Sequence, residues 1–358
     1  MPSLKEIKGR INSISSTLAI TSAMKMVASA KLQKAQMAIQ NMLPYERRLY
    51  SMLLDLMGAM NISAAASEDG SVRGSGSAER GFDQSGDRLS LSNRHDLAGM
   101  DGAYSLMAQR EVRKVAIVAF ASNSSLCGAF NSNVIREATA VINEYRASGL
   151  RDSDIVVYSV GRKMAEAMRK LGFPSPADFT KMSDSPSYEA ASALAQELLD
   201  GFVSGRFDKV ELVYNHYKST SSQPTTRQTY LPLSLADATA DIQVGKITDS
   251  ASESDTNRGA ESVGAPVVRQ GSPTTEDLIV EPSKEELIVT LLPKVVRLRV
   301  FTTLLDSTAA EQAARTVAMQ LATDNGNDLL QELTLEYNKG RQQKITSEIL
   351  DLVGGSMQ

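Results

Sequence analysis

STAAEQAARTVAMQLATDNGNDLLQELTLEYNKGRQQKITSEIL occupies residues 307–350 and continues into DLVGG. The stretch holds no proline and few β-branched residues, and it is rich in Ala, Leu, Gln, Glu and Arg, which lose little side-chain freedom on becoming helical. It predicts one long helix over residues 307–352. Leu335, Gln342 and Ile349, interleaved with Asn338, Ile345 and Leu352, alternate in steps of three and four, the spacing of a seam against one partner helix. Gly354 and Gly355 supply a stop.

The partner lies at the other end of the chain. Ser3 followed by Glu6 forms a capping box that opens a helix. From Ile7 a four-three rhythm runs through Ile11, Ile14, Leu18, Ala28, Leu32, Ala35, Ile39, Met42, Leu49, Leu53, Leu56 and Met60, interrupted only by Thr21, Lys25 and Glu46. At ~1.5 Å per residue the pattern implies a rod of roughly 80 Å, longer than a domain is wide. Pro44 removes one ladder hydrogen bond and is expected to bend it.

The face away from this seam carries its own message. Residues 11–24 contain no charge, and the off-seam positions are Ser, Thr, Asn, Ala and Ile. A helix free in water normally shows a charged outer face. Two readings follow: a tight protein sleeve in which small side chains slide, or the buried helix of a large bundle. About 14 hydroxyl-rich residues are too few to span a bilayer of ~30 Å.

Composition narrows the function classes. Lys and Arg number 38 against 42 Asp and Glu, a net charge of −4, so a strongly basic nucleic-acid binder is not indicated and protein partners are. The single Cys127 cannot form an internal disulfide, and with only His95 and His216 neither a thiolate nor a histidine metal site is expected. The N-terminus does not read as a secretory signal, no apolar run reaches about 18 residues, and a soluble intracellular protein is expected.

Between the terminal helices the chain changes character twice. Residues 64–102 and 245–276 are Gly- and Ser-rich with scattered charge, and read as mobile insertions that cannot bury enough apolar area to order themselves. His95 reads as a solvated loop residue. The segment between them alternates strands with helices. VAIVAFA at 115–121 and DIVVYSVG at 154–161 are strands, each followed by a helix, at about 132–147 and 163–171. A helix near 187–203 then precedes KVELVYNHYKS at 209–219 and TRQTYLPL at 226–233. This predicts a Rossmann-like α/β domain with a mainly parallel sheet whose last strand or two can be antiparallel. Gly128 in the loop SNSSLCGAFN could expose backbone donors to a phosphate, but the loop has neither G-x-G-x-x-G nor a Walker motif, so turn geometry is the simpler reading. Cys127 reads as a small buried residue. Ser283 and Glu286 repeat the capping box, and Pro293 bends the helix that follows. The expected organisation is a first coiled-coil helix over 1–62, an insertion over 63–110, the α/β domain over 111–244, a second insertion over 245–276, and the closing helical segment over 277–358.

The blocks LKEIKGRINSI, TSAMKMVASAKL, SLCGAFNSN, VELVYN and EQAARTVAMQLATDNGNDLLQELTLEYNKGRQQKITSEILDLVGG together resemble the γ subunit of the F-type ATP synthase, the central rotor shaft. They cover most of the chain outside the two insertions, which have no counterpart in the usual bacterial pattern. Ser125 and Ala129 stand where the family usually has glycine.

The resemblance implies an antiparallel coiled coil of the two chain ends inside a ring of α and β subunits, with the α/β domain outside it near the membrane rotor. The implied partners are the α and β subunits, ε, δ and the c-ring, at the cytoplasmic face of a bacterial inner membrane, with no nucleic acid. The chain itself carries no catalytic residue, cofactor or metal in that reading; the β subunits do the chemistry. Lys25 matches a family position near an acidic β loop, and Met24 one where a positive charge uncouples the machine. Arg341 and Gln342 match residues that dock on a polar β loop, and Arg315 and Thr346 match positions tied to coupling. These charged contacts are expected on exposed faces. The rival readings are a static coiled-coil scaffold and an α/β nucleotide-binding protein.

Overall fold

The computed structural model describes residues 3–59, 106–233, 281 and 283–355. Most of the two expected insertions, with His95, lies outside them. Helix α1 spans Leu4–Ala59 and helix α6 spans Lys284–Gly355. Each opens on the predicted serine: Ser3 Oγ accepts from the Glu6 amide at 3.3 Å, and Ser283 Oγ from the Glu286 amide at 3.1 Å. Both helices continue through their internal prolines, Pro44 and Pro293, because packing along the rest of each helix outweighs one lost ladder bond. The sequence places a bent helix after Ser283 and a separate long one from residue 307; they are one element. It does not stop before Gly354 but runs through Gly355.

The two helices pair antiparallel in one register. Going up the pair, Glu46 meets Arg299, Leu32 and Ala35 cluster with Ala309 and Ala313, Thr21 meets Thr323, Leu18 lies over Gly326, and Leu4 lies over Gly340. On α1 every predicted seam position with a described side chain is buried or half-buried, from Ile7 to Leu56. The three interruptions fit the seam as well. Thr323 Oγ1 hydrogen-bonds Thr21 Oγ1 at 3.1 Å, Lys25 is half-buried, and Glu46 is 3 % exposed with its carboxylate 3.0 Å from Arg299 Nη1.

On α6 the predicted seam is wrong. Leu335 is 71 % exposed, and Gln342, Ile349, Asn338, Ile345 and Leu352 are exposed too. The face turned to α1 is Met319, Thr323, Gly326, Leu330, Leu333, Tyr337 and Gly340. Apolar residues lie on more than one face of this helix, so periodicity alone cannot choose the phase. The two glycines choose it, because a Cβ on Gly326 would stand 2.6 Å from Leu18 Cδ2 and one on Gly340 3.1 Å from Leu4 Cδ2. The backbone of α6 can approach α1 this closely only along that line.

The α/β body is inserted between the helices. Its strands are β1 (Val115–Phe120), β2 (Ile155–Val160), β3 (Lys209–Asn215) and β4 (Thr225–Leu231), in the order β2-β1-β3-β4. β1 is parallel to both neighbours and β4 antiparallel to β3, as the sequence suggests. Its helices are α2 (Phe130–Ala147), α3 (Arg162–Lys170), α4 (Thr180–Asp184) and α5 (Tyr188–Val203); the short α4 is not foreseen. Side-chain alternation along β1 serves two cores. Val115, Ile117 and Ala119 pack with Val134, Val141, Met164 and Met168 of α2 and α3. Ala116, Val118 and Phe120 pack with Leu194 and Leu198 of α5, with Ile288, Leu292, Val296 and Leu304 of α6, and with Leu49 and Leu53 of α1. The long helices are thus the outer layer of the sheet's second face. This is why β1 is apolar at every position and not at alternate ones.

The Gly326 contact gives a signed expectation. Gly326→Ala removes glycine's helix penalty of about 1 kcal/mol but overpacks the seam by about 1–3 kcal/mol, so a net loss is expected. In a Leu18→Ala background the steric part vanishes, and the same change becomes stabilising by about 1 kcal/mol. Denaturant titration of the four full-length proteins measures this cycle.

Candidate functional site

Among the described residues, the helix pair stands alone above the body. On α6 beyond Leu321, only the residues facing α1 are less than exposed, and α1 behaves the same way below Lys25. From Leu321 to Gly355 this free rod is roughly 50 Å long at ~1.5 Å per residue. Its last part is a single helix, since α1 begins opposite Gly340 and residues 341–350 are all exposed. Large apolar side chains remain in the open along the rod: Ile20 on α1, and Leu329, Leu335, Ile349 and Leu352 on α6. The uncharged stretch 11–24 presents Ser13, Ser15, Ser16 and Thr17 outward, and none of the described residues encloses it. These apolar side chains are spread along the rod between exposed charges such as Asp328, Glu332, Glu336 and Lys344, and the rod's longest uncharged stretch is 11–24.

The predicted site residues fall at three heights. Arg341, Gln342 and Thr346 sit together and exposed where the pair becomes a single helix, with Thr346 Oγ1 donating back to the Gln342 carbonyl at 2.9 Å. Met24 and Lys25 are half-buried lower on α1, at a level between the Thr21–Thr323 and Leu32–Ala313 contacts. Arg315 is apart from all of these, about 39 Å along α6 from Arg341. It does not lie on an exposed face as expected. It is 8 % exposed, pairs with Glu311 at 2.9 Å, and donates to Ser124 Oγ at 2.7 Å. The reason is local: the loop after β1 folds over this part of α6 and covers it.

That loop, residues 122–131, is also where a phosphate-binding reading would have to stand. The side chains of Ser122, Ser124 and Asn131 are already engaged within the protein. Asn131 Oδ1 accepts from the Ser122 amide at 3.0 Å while its Nδ2 reaches Cys127 Sγ at 3.1 Å, and Ser124 is held by Arg315. Gly128, at φ +58, turns its bare Cα towards Ala318, with 3.8 Å left for a Cβ, and Leu126 also takes a left-handed conformation at φ +67. Cys127 is buried with Phe130 against Ala310 of α6. The left-handed turn at Gly128, which a Cβ would strain, is what brings the loop over the helix. Among the described residues no group of three or more His, Cys, Asp or Glu could hold a metal, and no helix is long and apolar enough to cross a membrane.

Beside this clamp is a second one, which the sequence does not announce. In the loop joining β3 to β4, the Tyr217 amide donates to Asp306 Oδ1 at 2.8 Å, His216 Nδ1 lies 2.6 Å from Asp306 Oδ2, and Gln36 Nε2 of α1 donates to the Tyr217 hydroxyl at 2.6 Å. HYKS reads only as the frayed end of a strand. Nothing local connects it to residues 90 or 181 positions away.

Burial pushes the Glu311 carboxyl above the usual glutamate range; Arg315 pulls it down, Asp184 up and Lys31 down, and burial prevails. A carboxyl raised in the folded state contributes stability at acid pH that is lost as pH rises through its folded value. Arg315→Gln removes the chief lowering partner and raises Glu311 further. The stability deficit of this variant is therefore expected to grow as pH rises from the acid range through the raised Glu311 value, approaching the ~3–5 kcal/mol of a broken buried pair. Thermal unfolding of both proteins across that range is the check, and a deficit that is flat with pH would contradict it.

The sequence and the fold were compared with known proteins. A family described as ATP synthase matches residues 3–357. The ATP synthase gamma chain of Phocaeicola vulgatus is 46% identical over 357 residues, covering 100% of both chains, and that of Bacteroides thetaiotaomicron is 45% identical over 358 residues, again covering 100% of both. The Flavobacterium johnsoniae gamma chain is 35% identical, covering 99% of this chain and 98% of its own. End-to-end matches of this kind leave no room for stretches the size of 64–102 and 245–276 to be without counterparts in these relatives. Among solved structures, a chain of the Euglena gracilis mitochondrial ATP synthase, in its OSCP/F1/c-ring assembly, shares the fold with a TM-score of 0.52 at 19% identity, covering 99% of this chain and 93% of that one.

Proposed function

The chain belongs to the ATP synthase gamma-chain family, and from that premise we propose that its free helical rod works as the central rotor shaft of the enzyme. It is a non-catalytic subunit; ATP is made and hydrolysed on the β subunits. The rod stands within the ring of α and β subunits, and the α/β body stands outside that ring beside ε and the membrane c-ring, with δ completing the assembly. Ion flow turns the c-ring and with it the body and the rod. The chain joins the cytoplasmic face of the bacterial inner membrane through the complex.

One observation carries the reading: an antiparallel pair that leaves the body, with an uncharged, hydroxyl-rich stretch at 11–24, and that thins to a single exposed helix at Arg341. Such a rod has different side chains at every angle around its axis. An effector shifts an equilibrium only through differential contact with its states, so this asymmetry is what allows one orientation to favour one β conformation over another. Arg341, Gln342 and Thr346 lie where the shaft loses its second helix, suited to grip a polar β loop. Met24 and Lys25 lie lower, where an acidic loop can read the charge of α1. Arg315 acts from inside, through Glu311 and Ser124, on how the body holds α6.

Two measurements on the complete complex in membrane vesicles test this. Met24→Lys should lower ion transport per ATP much more than it lowers ATP hydrolysis; equal loss of both would count against a coupling role for this level of the rod. A disulfide between a cysteine at Arg341 and a facing β residue should stop hydrolysis until it is reduced, whereas a link near the end of α6, at Leu352, should be tolerated. Full hydrolysis with the Arg341 link closed would favour the static scaffold.

A further inference from the structure

The body and the rod must turn as one, and the structure shows where their joint is narrowest. Lower down, a broad apolar core ties both helices to the sheet through Leu49, Leu53 and Leu56 of α1 and residues from Ile288 to Leu305 of α6. At the upper rim the helix pair is held together mainly by small residues: Ala28, Leu32 and Ala35 against Ala309 and Ala313. An alanine seam permits close approach but buries little area per residue, so it resists sliding and relative twist weakly by itself.

Tyr217 sits on this seam. Its ring packs against the cluster of Leu32, Ala35, Ala309 and Ala313 on one side and that of Cys127, Phe130 and Ala310 on the other. Its hydroxyl accepts from Gln36 of α1, and its amide donates to Asp306 of α6. The arm that carries it is itself braced. The His216 amide donates to the Pro224 carbonyl at 2.8 Å, Ser219 and Ser222 bridge, and the Gln223 amide side chain caps the Thr220 carbonyl at 2.6 Å. One body residue therefore touches α1, α6 and the β1 loop at the height where the helices leave the body.

We propose that Tyr217 is a positioning residue for rotary coupling: the pin that locks both helices of the shaft to the α/β body, so that torque enters the rod as a rigid couple. The inference rests on the rotary reading. Turning the body about the rod axis pushes α1 and α6 in opposite directions. A side chain wedged against both transmits that push, and close-packed contacts carry strain with little compression. Without it, the alanine seam twists before the rod turns.

The test uses the chain assembled with its cognate α and β subunits, immobilised through the ring, with a bead on the body at Ala140→Cys, an exposed position of α2. Stepwise turning of the unaltered pin under ATP examines the rotary reading separately. The angular spread of the bead during a catalytic pause measures torsional stiffness. Tyr217→Ala should widen the variance about twofold or more, because a void transmits no strain, while the hydrolysis rate stays near that of the parent. Tyr217→Phe, which keeps the ring, and Gln36→Ala, which removes its donor, should each widen it less. Rotation with an unchanged spread in Tyr217→Ala overturns the proposal. Should that variant fail to assemble, unchanged spreads in both milder variants overturn it equally.

Discussion

The close approach of two helices in a single antiparallel register governs the rest of this structure. Small residues set it: Gly340 under Leu4, Gly326 under Leu18, and alanines 28, 35, 309 and 313 lower down. One buried charge pair adds specificity. A one-heptad slip would separate Arg299 from Glu46, which is 3 % exposed, and breaking a buried charge pair costs about 3–5 kcal/mol. Well-packed apolar residues could give as much stability at that place, but they would tolerate neighbouring registers. In a long helix pair with an alanine-rich seam, register is the property most in need of protection.

Everything in the body follows from that pair. The sheet buries one face under α2 and α3 and the other under α5 and the two long helices, so the pair is at once a rod and a layer of a globular core. The loop after β1 and the loop after β3, both at the same end of the sheet, then close over α6 with Cys127, Phe130 and Tyr217. In many parallel sheets the loops at the carboxyl ends of the strands hold a ligand. Here they hold a helix, and the glycine that a nucleotide site would use lies against Ala318.

The sequence discloses the two halves of this arrangement unequally. On α1 the apolar residues keep largely to one stripe, which faces α6 and, at its lower end, the sheet as well, and each predicted seam position with a described side chain is covered. On α6 the same reasoning selects Leu335, Gln342 and Ile349 and fails, because apolar residues there serve two clients. Leu330 and Leu333 face α1, while Leu329, Leu335 and Ile349 are left for surfaces outside the chain. A periodic pattern records that a residue is to be buried, not against what. The order of strands and helices was legible for the ordinary reason that buried strands read as apolar runs between glycine turns. The Tyr217 clasp was not, since it joins residues far apart in the chain through contacts that leave no local pattern. Arg315 misled in the opposite way: an arginine in a charged helix reads as exposed, and only the loop folded over it shows otherwise.

The surface chemistry of the free rod bears on how such a shaft could turn against its neighbours. Hydroxyl side chains are frequent on it, and several of their donors are satisfied within their own helices. Ser16 donates to the Asn12 carbonyl at 3.0 Å, Thr17 to Ser13 at 2.9 Å, Thr334 to Leu330 at 2.6 Å and Thr346 to Gln342 at 2.9 Å. A hydroxyl bonded back to its own backbone makes little directional demand on a passing partner. Intermolecular hydrogen bonds contribute about 0.5–1.5 kcal/mol each, so a ring of them would have to break together at every step and would act as a brake. Apolar contact is non-directional and changes smoothly as one surface slides over another. A face made of Ala, Ile, Leu and self-satisfied Ser and Thr therefore stays dry without gripping. Directional groups are then informative where they do occur: the tip exposes Arg341, Gln342, Gln343, Lys344 and Glu348, and of these Arg341 and Gln342 stand at the height where the shaft changes from two helices to one.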